Sequence, residues 1–280
     1  MCVKAWPRCA NAAHLNTPDS PQMARAHFKR QTQHASVCRK VIGMLVGCFI
    51  LAGYALASDA DMAERTRACT HCHGEQGKAG PDGYYPRLAG KPAGYLYNQL
   101  QNFKQRRRHY DLMTRLIDPL SDDYLRNMAD YFSGLKVPYP APSLQTESVS
   151  AQVLARGKKL ALEGDPQSNV PACAACHGSK LTGATPNVPS LLGLPLDYLN
   201  AQLGAWQTGA RQAHAPDCMA QVAKGLGNDD LMAVTYFLAR QALPADASPV
   251  SSQSLLAASR RLGAEWRCGS SARVATPLQP

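Results

Sequence analysis

The chain has 280 residues, enough for two small domains with extensions, and carries a formal net charge of +10. Seven basic residues and one acid fall within residues 1–57, which is +6 of that total, so residues 58–280 carry only +4. A nucleic-acid-binding domain would keep its positive charge on the folded part, so this distribution argues against nucleic acid as a partner.

The N-terminal segment is typical of an export signal. The basic residues of VCRK, at 37–40, precede the apolar run VIGMLVGCFILAGYALA, at 41–57, which ends in a small-x-small pattern. We expect residues 1–57 to be a signal peptide cleaved after Ala57, with Met23 as an alternative start of translation. The other interpretation is an uncleaved membrane anchor, because the run is at or just below the length that spans a bilayer. In both cases we expect the folded part to lie in the periplasm.

The sequence after residue 57 contains an internal duplication. The stretch YPRLAGKPAGYLYNQLQNF, at 85–103, aligns without gaps on VPSLLGLPLDYLNAQLGAW, at 188–206. Self-similarity over such a distance indicates two tandem domains rather than the short repeats of a solenoid. The expected organisation is a first domain at 58–136, a linker at 137–150, a second domain at 151–242 and a C-terminal tail at 243–280.

Both repeats are predicted to be helical. Apolar residues recur at helical spacing within 95–103 and within 125–132, and alternating strand patterns are missing from the sequence. Ser121 can cap the second of these helices, with two acidic residues in its first turn. The stretch GNDDLMAVTYFL, at 227–238, repeats the same arrangement in a looser form. The sequence therefore predicts an all-α fold.

Each repeat contains the motif C-x-x-C-H-G, at 69–74 and at 173–178. This motif attaches a c-type haem, because two thiols two residues apart can add to the two vinyl groups on one edge of the macrocycle. The adjacent histidine then lies under the iron as the proximal ligand. A thiol–disulfide pair or half of a zinc site would leave the histidine of both copies unexplained. The predicted thioether residues are Cys69, Cys72, Cys173 and Cys176, and the predicted proximal ligands are His73 and His177.

The sixth ligand of each iron is predicted to be a methionine. Met113 lies 44 residues after Cys69 and Met219 lies 46 residues after Cys173, and each is followed seven residues later by a leucine and an acid-capped helix. A methionine opposite a histidine raises the reduction potential of the iron. The rival ligands are His109 and His214, which we expect to be solvated loop residues. Two further methionines, Met128 and Met232, fall inside predicted helices and are expected to belong to the core.

Cys218 directly precedes Met219, where the first repeat has Leu112. A cysteine at this position could itself bind the second iron. It could instead form a disulfide with Cys268, the one other cysteine outside the haem motifs and the leader, in an oxidising compartment. The sequence leaves both alternatives open.

Two further features bear on the haem environment. Pro86 and Pro189 each open the pattern P-x-L-x-G shortly after a haem motif, and their carbonyls are candidates to orient the second nitrogen of the proximal histidine. The run RRRHY, at 106–110, is the densest basic stretch. It could attract an acidic redox partner, offset haem propionates, or simply form a solvated loop.

With these motifs, the chain resembles the dihaem cytochromes c of the cytochrome c4 family. The stretch GKKLALEGDPQSNVPACAACHG, at 157–178, is similar to the start of that family's second domain, and 85–132 is similar to its first domain. The resemblance implies two tandem class I cytochrome c domains, each a small helical domain wrapped around one haem c. It also implies that the two haems face each other across the domain interface.

The resemblance implies electron transfer between respiratory partners, from a quinol-oxidising complex or a dehydrogenase towards a terminal oxidase. Two irons with six strong ligands each would leave no position for a substrate, so we expect a carrier and not an enzyme. One alternative is an electron-accepting cytochrome c subunit of a dehydrogenase complex. Another is a haem enzyme with an open or cysteine-ligated iron, for which Cys218 is the sequence support. Contact with a membrane is expected only peripherally or through an uncleaved N-terminal segment.

Overall fold

The computed structural model describes residues 61–80, 83–139, 148–251, 253, 262, 266 and 268–270. The expected signal peptide lies outside these residues. The described residues belong to one compact unit that contains both repeats. The described part of the chain has α-helices, short 3-10 turns and isolated bridges but no β-strand, so the predicted all-α fold class is confirmed.

In the part of the first repeat that the structure describes, residues 61–65 are helical and four further helices surround a small apolar core. They are α1 (Arg67–His73), α2 (Ala93–Lys104), α3 (Asp111–Ile117) and α4 (Asp122–Gly134). The Oγ atom of Ser121 accepts a hydrogen bond from the backbone N–H of Tyr124 at 3.2 Å, so α4 begins at the predicted cap. Helices α2 and α4 pack against each other over the core. The core residues are Met62, Phe103, Ile117, Leu125 and Met128, with Leu96, Ala129 and Phe132 in a second cluster.

The second repeat adds five helices and a larger core. They are α5 (Ala151–Leu162), α6 (Cys173–His177), α7 (Leu196–Thr208), α8 (Cys218–Gly225) and α9 (Asn228–Ala239). Helices α5 and α9 make the closest pairing, and Gly157 lies at their crossing. A β-carbon at this glycine would lie 2.1 Å from the carbonyl oxygen of Ala233. The two backbones can therefore approach this closely only because the residue has no side chain.

The start of the linker is held by both repeats. The guanidinium of Arg87, a buried residue of the first repeat, donates hydrogen bonds to the carbonyls of Val137 and Pro138. It also stacks over the ring of Tyr139, with 4.0 Å between the guanidinium carbon and the ring centroid. Tyr139 packs closely on Gly193 of the second repeat, so the linker is fixed where it leaves the first repeat.

We expect Gly157→Ala to destabilise the protein by about 1–3 kcal/mol, because the added methyl overpacks the crossing of α5 and α9. Gly204→Ala is the matched control, since Gly204 lies within α7 and a β-carbon there would meet no atom within 4 Å. This control should stabilise the protein by about 0.4–1 kcal/mol through the lower entropy of the unfolded chain. Urea denaturation of the two purified variants measures both effects. Equal stabilities would contradict the close crossing.

Candidate functional site

Each C-x-x-C-H motif forms a short helix that ends at its histidine. Helix α1 ends at His73 and helix α6 ends at His177, and a glycine follows each. Gly74 and Gly178 have φ angles of 76° and 83°, which a residue with a side chain rarely adopts. A β-carbon at Gly74 would also lie 2.3 Å from the carbonyl oxygen of Ala79. The chain therefore reverses sharply after each histidine, which leaves the cysteines and the histidine of one motif on one short segment.

The four motif cysteines have partly buried side chains, and none of them takes part in the disulfide of the described residues. Burial raises the pKa of Cys69 and Cys176 above the usual value for a thiol, and it raises the pKa of Cys173 to about 11. A redox-active C-x-x-C pair depends on a thiol with a lowered pKa. The environment of these cysteines therefore does not match thiol–disulfide exchange.

Both motif histidines are oriented by the predicted proline carbonyls. The Nδ1 atom of His73 lies 2.8 Å from the carbonyl oxygen of Pro86, and that of His177 lies 2.8 Å from the carbonyl oxygen of Pro189. Burial lowers the pKa of both imidazoles, which favours their neutral form. An imidazole that donates Nδ1–H to a carbonyl keeps the lone pair of Nε2 available for a metal. This arrangement suits a proximal haem ligand, and the two copies are the same.

The candidate methionines lie on two short helices. Met113 is in α3 and Met219 is in α8, and both side chains are partly buried. In the first repeat, Met113 and Cys69 pack against the same core cluster, so the motif helix and the methionine helix share one interior. The ring of Tyr85 joins the two sides as well. It lies edge-on to the imidazole of His73, with 6.0 Å between the two ring centroids. The hydroxyl of Tyr85 accepts a hydrogen bond from the hydroxyl of Tyr110 at 3.3 Å.

Cys218 forms a disulfide with Cys268, and their α-carbons are 5.3 Å apart. The sequence left open whether Cys218 binds the iron or pairs with Cys268, and in the structure it pairs with Cys268. Because its sulfur is bonded to another sulfur, Cys218 is not available as an iron ligand. The interpretation as an enzyme with a cysteine-ligated iron thus loses its sequence support.

Two predictions about the rival residues are wrong. His214 was expected to be a solvated loop residue, but it is buried and its Nε2 lies 3.0 Å from Nη2 of Arg107 in the first repeat. Met232 was expected in the core, but 39% of it is exposed on the outer face of α9. Met128 is buried in the core and His109 is exposed, as predicted. The error at His214 reflects a contact between distant parts of the chain.

A pair of arginines and a pair of glutamines meet between the repeats. The Oε1 atom of Gln99 accepts hydrogen bonds from Arg108 at 3.0 Å and from Arg211 at 2.9 Å. The Oε1 atom of Gln202 accepts from the same two arginines, at 2.7 and 2.8 Å. The duplication relates Gln99 to Gln202 and Arg108 to Arg211, so this cluster is nearly symmetric. Alignment of the repeats revealed the glutamine pair, but it gave no sign that the four side chains converge.

This cluster concentrates positive charge in the interior. Lys91 and Arg211 are both buried, and Arg108 lies beside them. Burial, together with repulsion from nearby arginines, lowers the pKa of Lys91 to about 8. Throughout the described ranges, no carboxylate forms an ion pair with any of these three cations. Buried cations without anions are costly, so the interface suits a ligand that brings negative charge. Arg106, from the same basic run, is exposed and pairs with Asp118 instead.

The described helices include none that is long and apolar enough to cross a membrane.

Comparison with known proteins agrees with this geometry. The family model for cytochrome c matches residues 52–132 and 154–242. The chain is 36% identical to a thiosulfate dehydrogenase electron acceptor from Thiomonas intermedia, over 71% of this chain and 88% of that protein. It is 31% identical to cytochrome c4 from Pseudomonas aeruginosa, over 69% of this chain and 92% of that protein.

Solved structures give the same result. Cytochrome c4 from Pseudomonas stutzeri matches with a TM-score of 0.53 and 30% identity, over 64% of this chain and 96% of that chain. A thiosulfate dehydrogenase from Marichromatium purpuratum matches with a TM-score of 0.57 and 31% identity. That match covers 66% of this chain but only 40% of the longer dehydrogenase. The chain therefore belongs to the cytochrome c family, as an electron-transfer protein of the cytochrome c4 kind with two covalently bound haem c groups.

Proposed function

We propose that each repeat holds its haem through the two cysteines of its motif and coordinates the iron with one histidine and one methionine. The thioether residues are Cys69, Cys72, Cys173 and Cys176, and the iron ligands are His73, Met113, His177 and Met219. Two observations support this set. The repeated hydrogen bond between Nδ1 and a proline carbonyl orients both imidazoles in the same way. The disulfide removes Cys218 as a rival of Met219.

The ligand set favours an electron carrier over an enzyme. When bound, each haem supplies a one-electron iron couple. If one histidine and one methionine of the chain held each iron, no coordination position would be left for a substrate. The observation that carries this proposal is the presence of two equivalent, oriented histidines within one compact unit.

We expect Met113→Ala and Met219→Ala each to convert one haem from low-spin to high-spin and to lower its reduction potential, because each change removes the sulfur that would bind the iron. Electron paramagnetic resonance of the ferric protein measures the spin state, and a redox titration measures the potential. Met232→Ala is the matched control, since this exposed methionine should leave both haems low-spin. A low-spin spectrum for Met219→Ala would show that another residue binds the second iron.

We further propose that the cations between the repeats, of which Lys91 and Arg211 are buried, face the propionate groups of the haems. Lys91, Arg108 and Arg211 lack carboxylate partners within the described residues. Haem propionates are carboxylates, so they would supply the anions that these side chains require. These contacts would hold both haem groups at the interface between the repeats and would influence the reduction potentials of the two irons.

Arg108→Gln should lower the potential of at least one haem, because a nearby positive charge disfavours the more positive ferric state. For a unit charge at ~10 Å and an effective dielectric constant of ~20, Coulomb's law gives about 1–2 kcal/mol, or ~40–90 mV for one electron. Arg106→Gln is the control from the same basic run. Its charge is exposed and paired with Asp118, so its effect should be much smaller. Equal shifts in the two variants would argue against a special role for the cluster.

We propose that this carrier works in the periplasm and accepts electrons from a dehydrogenase that oxidises thiosulfate. The relatives from Thiomonas intermedia and Stutzerimonas stutzeri, at 36% and 34% identity, are both named thiosulfate dehydrogenase electron acceptors. The second candidate donor is a quinol-oxidising complex, which the similarity to cytochrome c4 favours. For both donors, the proposed acceptor is a terminal oxidase.

Stopped-flow absorbance distinguishes the two donors. The ferric protein should be reduced rapidly when it is mixed with a purified thiosulfate dehydrogenase and thiosulfate, and thiosulfate alone should reduce it far more slowly. A parallel reaction with a quinol-oxidising complex and its quinol gives the comparison. Rapid reduction in the second reaction alone would assign the protein to the quinol-oxidising pathway and contradict the dehydrogenase as donor.

A further inference from the structure

We propose that the C-terminal tail is a positioning element for the second iron ligand. The described residues 266 and 268–270, called the strap below, are linked by the Cys218–Cys268 disulfide to the first residue of α8. The next residue of that helix is Met219. We infer that Cys218 and Cys268 hold this end of α8 so that Met219 stays on the iron. The inference rests on the proposed role of Met219 as a ligand.

The tail is attached to the second repeat at Val250 before it reaches the strap. The backbone N–H of Val250 donates to the carbonyl of Gly183 at 3.0 Å, and the N–H of Thr185 donates to the carbonyl of Val250 at 2.9 Å. The disulfide then closes a sequence separation of 50 residues. A cross-link over such a separation restricts the ends it joins far more than a local contact does.

The strap also contacts the loop that leads into α8. The N–H of Gly269 donates to the carbonyl of Pro216 at 2.9 Å. A β-carbon at Gly269 would lie 2.1 Å from the carbonyl oxygen of Ala215, so the two backbones touch. Within the loop, the carboxylate of Asp217 accepts from the N–H of Ala220 at 3.1 Å and caps the helix. The start of α8 is thus held by a cap, a backbone contact and a covalent bond.

The strap reaches the first repeat as well. The side-chain amide of Asn98, a buried residue of α2, donates to the carbonyl of Ser270 at 3.4 Å. The strap therefore connects the methionine helix of the second repeat to the core helix of the first.

Within the described residues of the first repeat, no disulfide holds the methionine helix, and the packing of that helix differs from that of α8. Helix α3, which carries Met113, inserts Thr114 and Ile117 into the interior, and both are 2% exposed. Helix α8 buries only Cys218 and Ala223. Two small side chains anchor a helix weakly.

The C-terminal end of α8 is restrained separately from the N-terminal end, where Met219 lies next to the disulfide. The side chain of Gln207 donates to the carbonyls of Ala223 and Leu226 at 3.0 and 2.9 Å. These bonds hold the C-terminal end of α8. The N-terminal end would keep only the cap and the loop contacts without the disulfide.

The test compares the wild-type holoprotein with the double variant Cys218→Ala/Cys268→Ala. Removing both sulfurs avoids leaving a thiol next to Met219 that could itself bind the iron. The ferric variant should bind cyanide at its second haem about 10-fold faster or more, because the methionine dissociates more readily from a helix end that opens locally. It should also lose part of the sulfur-to-iron charge-transfer absorbance. The haem of the first repeat is the internal control, and its cyanide binding should not change.

A second variant covers the case in which the double variant does not accumulate with both haems. Gly269→Ala keeps the disulfide but pushes the strap away from Ala215, so it should also accelerate cyanide binding at the second haem. Wild-type rates in every variant that retains both haems would overturn the strap proposal. Met219→Ala separates this result from the proposed function. If Met219→Ala makes one haem high-spin while the strap variants behave like wild type, the ligand proposal stands and the strap proposal fails.

Discussion

The hydrogen bond between each motif histidine and a proline carbonyl connects the site to the rest of each repeat. In both repeats it measures 2.8 Å and joins the end of a short helix to the loop that opens with P-x-L-x-G. That loop leads directly into the long helix of the repeat, α2 or α7, which packs against the core. The orientation of the imidazole is therefore coupled to the packing of the whole repeat, which is what a stable iron ligand requires.

The interface between the repeats depends on a second constraint, which is the burial of positive charge. Arg108 and Arg211 share Gln99 and Gln202, with Lys91 nearby. Glutamine carbonyls satisfy the hydrogen-bonding groups of the arginines but do not neutralise their charge. Two propionate-bearing haems would complete this interior. The interface would then be stable only in the loaded protein, so cofactor binding and domain packing would support each other.

The two repeats share one sequence pattern, but their methionine helices are held in place by different contacts. The first repeat packs its methionine helix into the core with Ile117, while the second uses small buried residues and a disulfide to the tail. The tail also links the two repeats through Asn98. With Met113 and Met219 as the proposed ligands, this asymmetry would give the two haems different local environments, which is one physical route to two different potentials in a single carrier.

The sequence by itself determined the features that depend on short spacing or on the duplication. These are the two C-x-x-C-H motifs, the paired prolines and methionines, the helical class and the cap at Ser121. Each follows from residues close together in the chain or from the alignment of one copy on the other. Only the tertiary structure decided that Cys218 forms a disulfide and that His214 is buried. It also decided that Arg108 and Arg211 donate to the same glutamine. Those contacts join residues far apart in sequence, and they exist only because the two repeats and the tail pack into one unit.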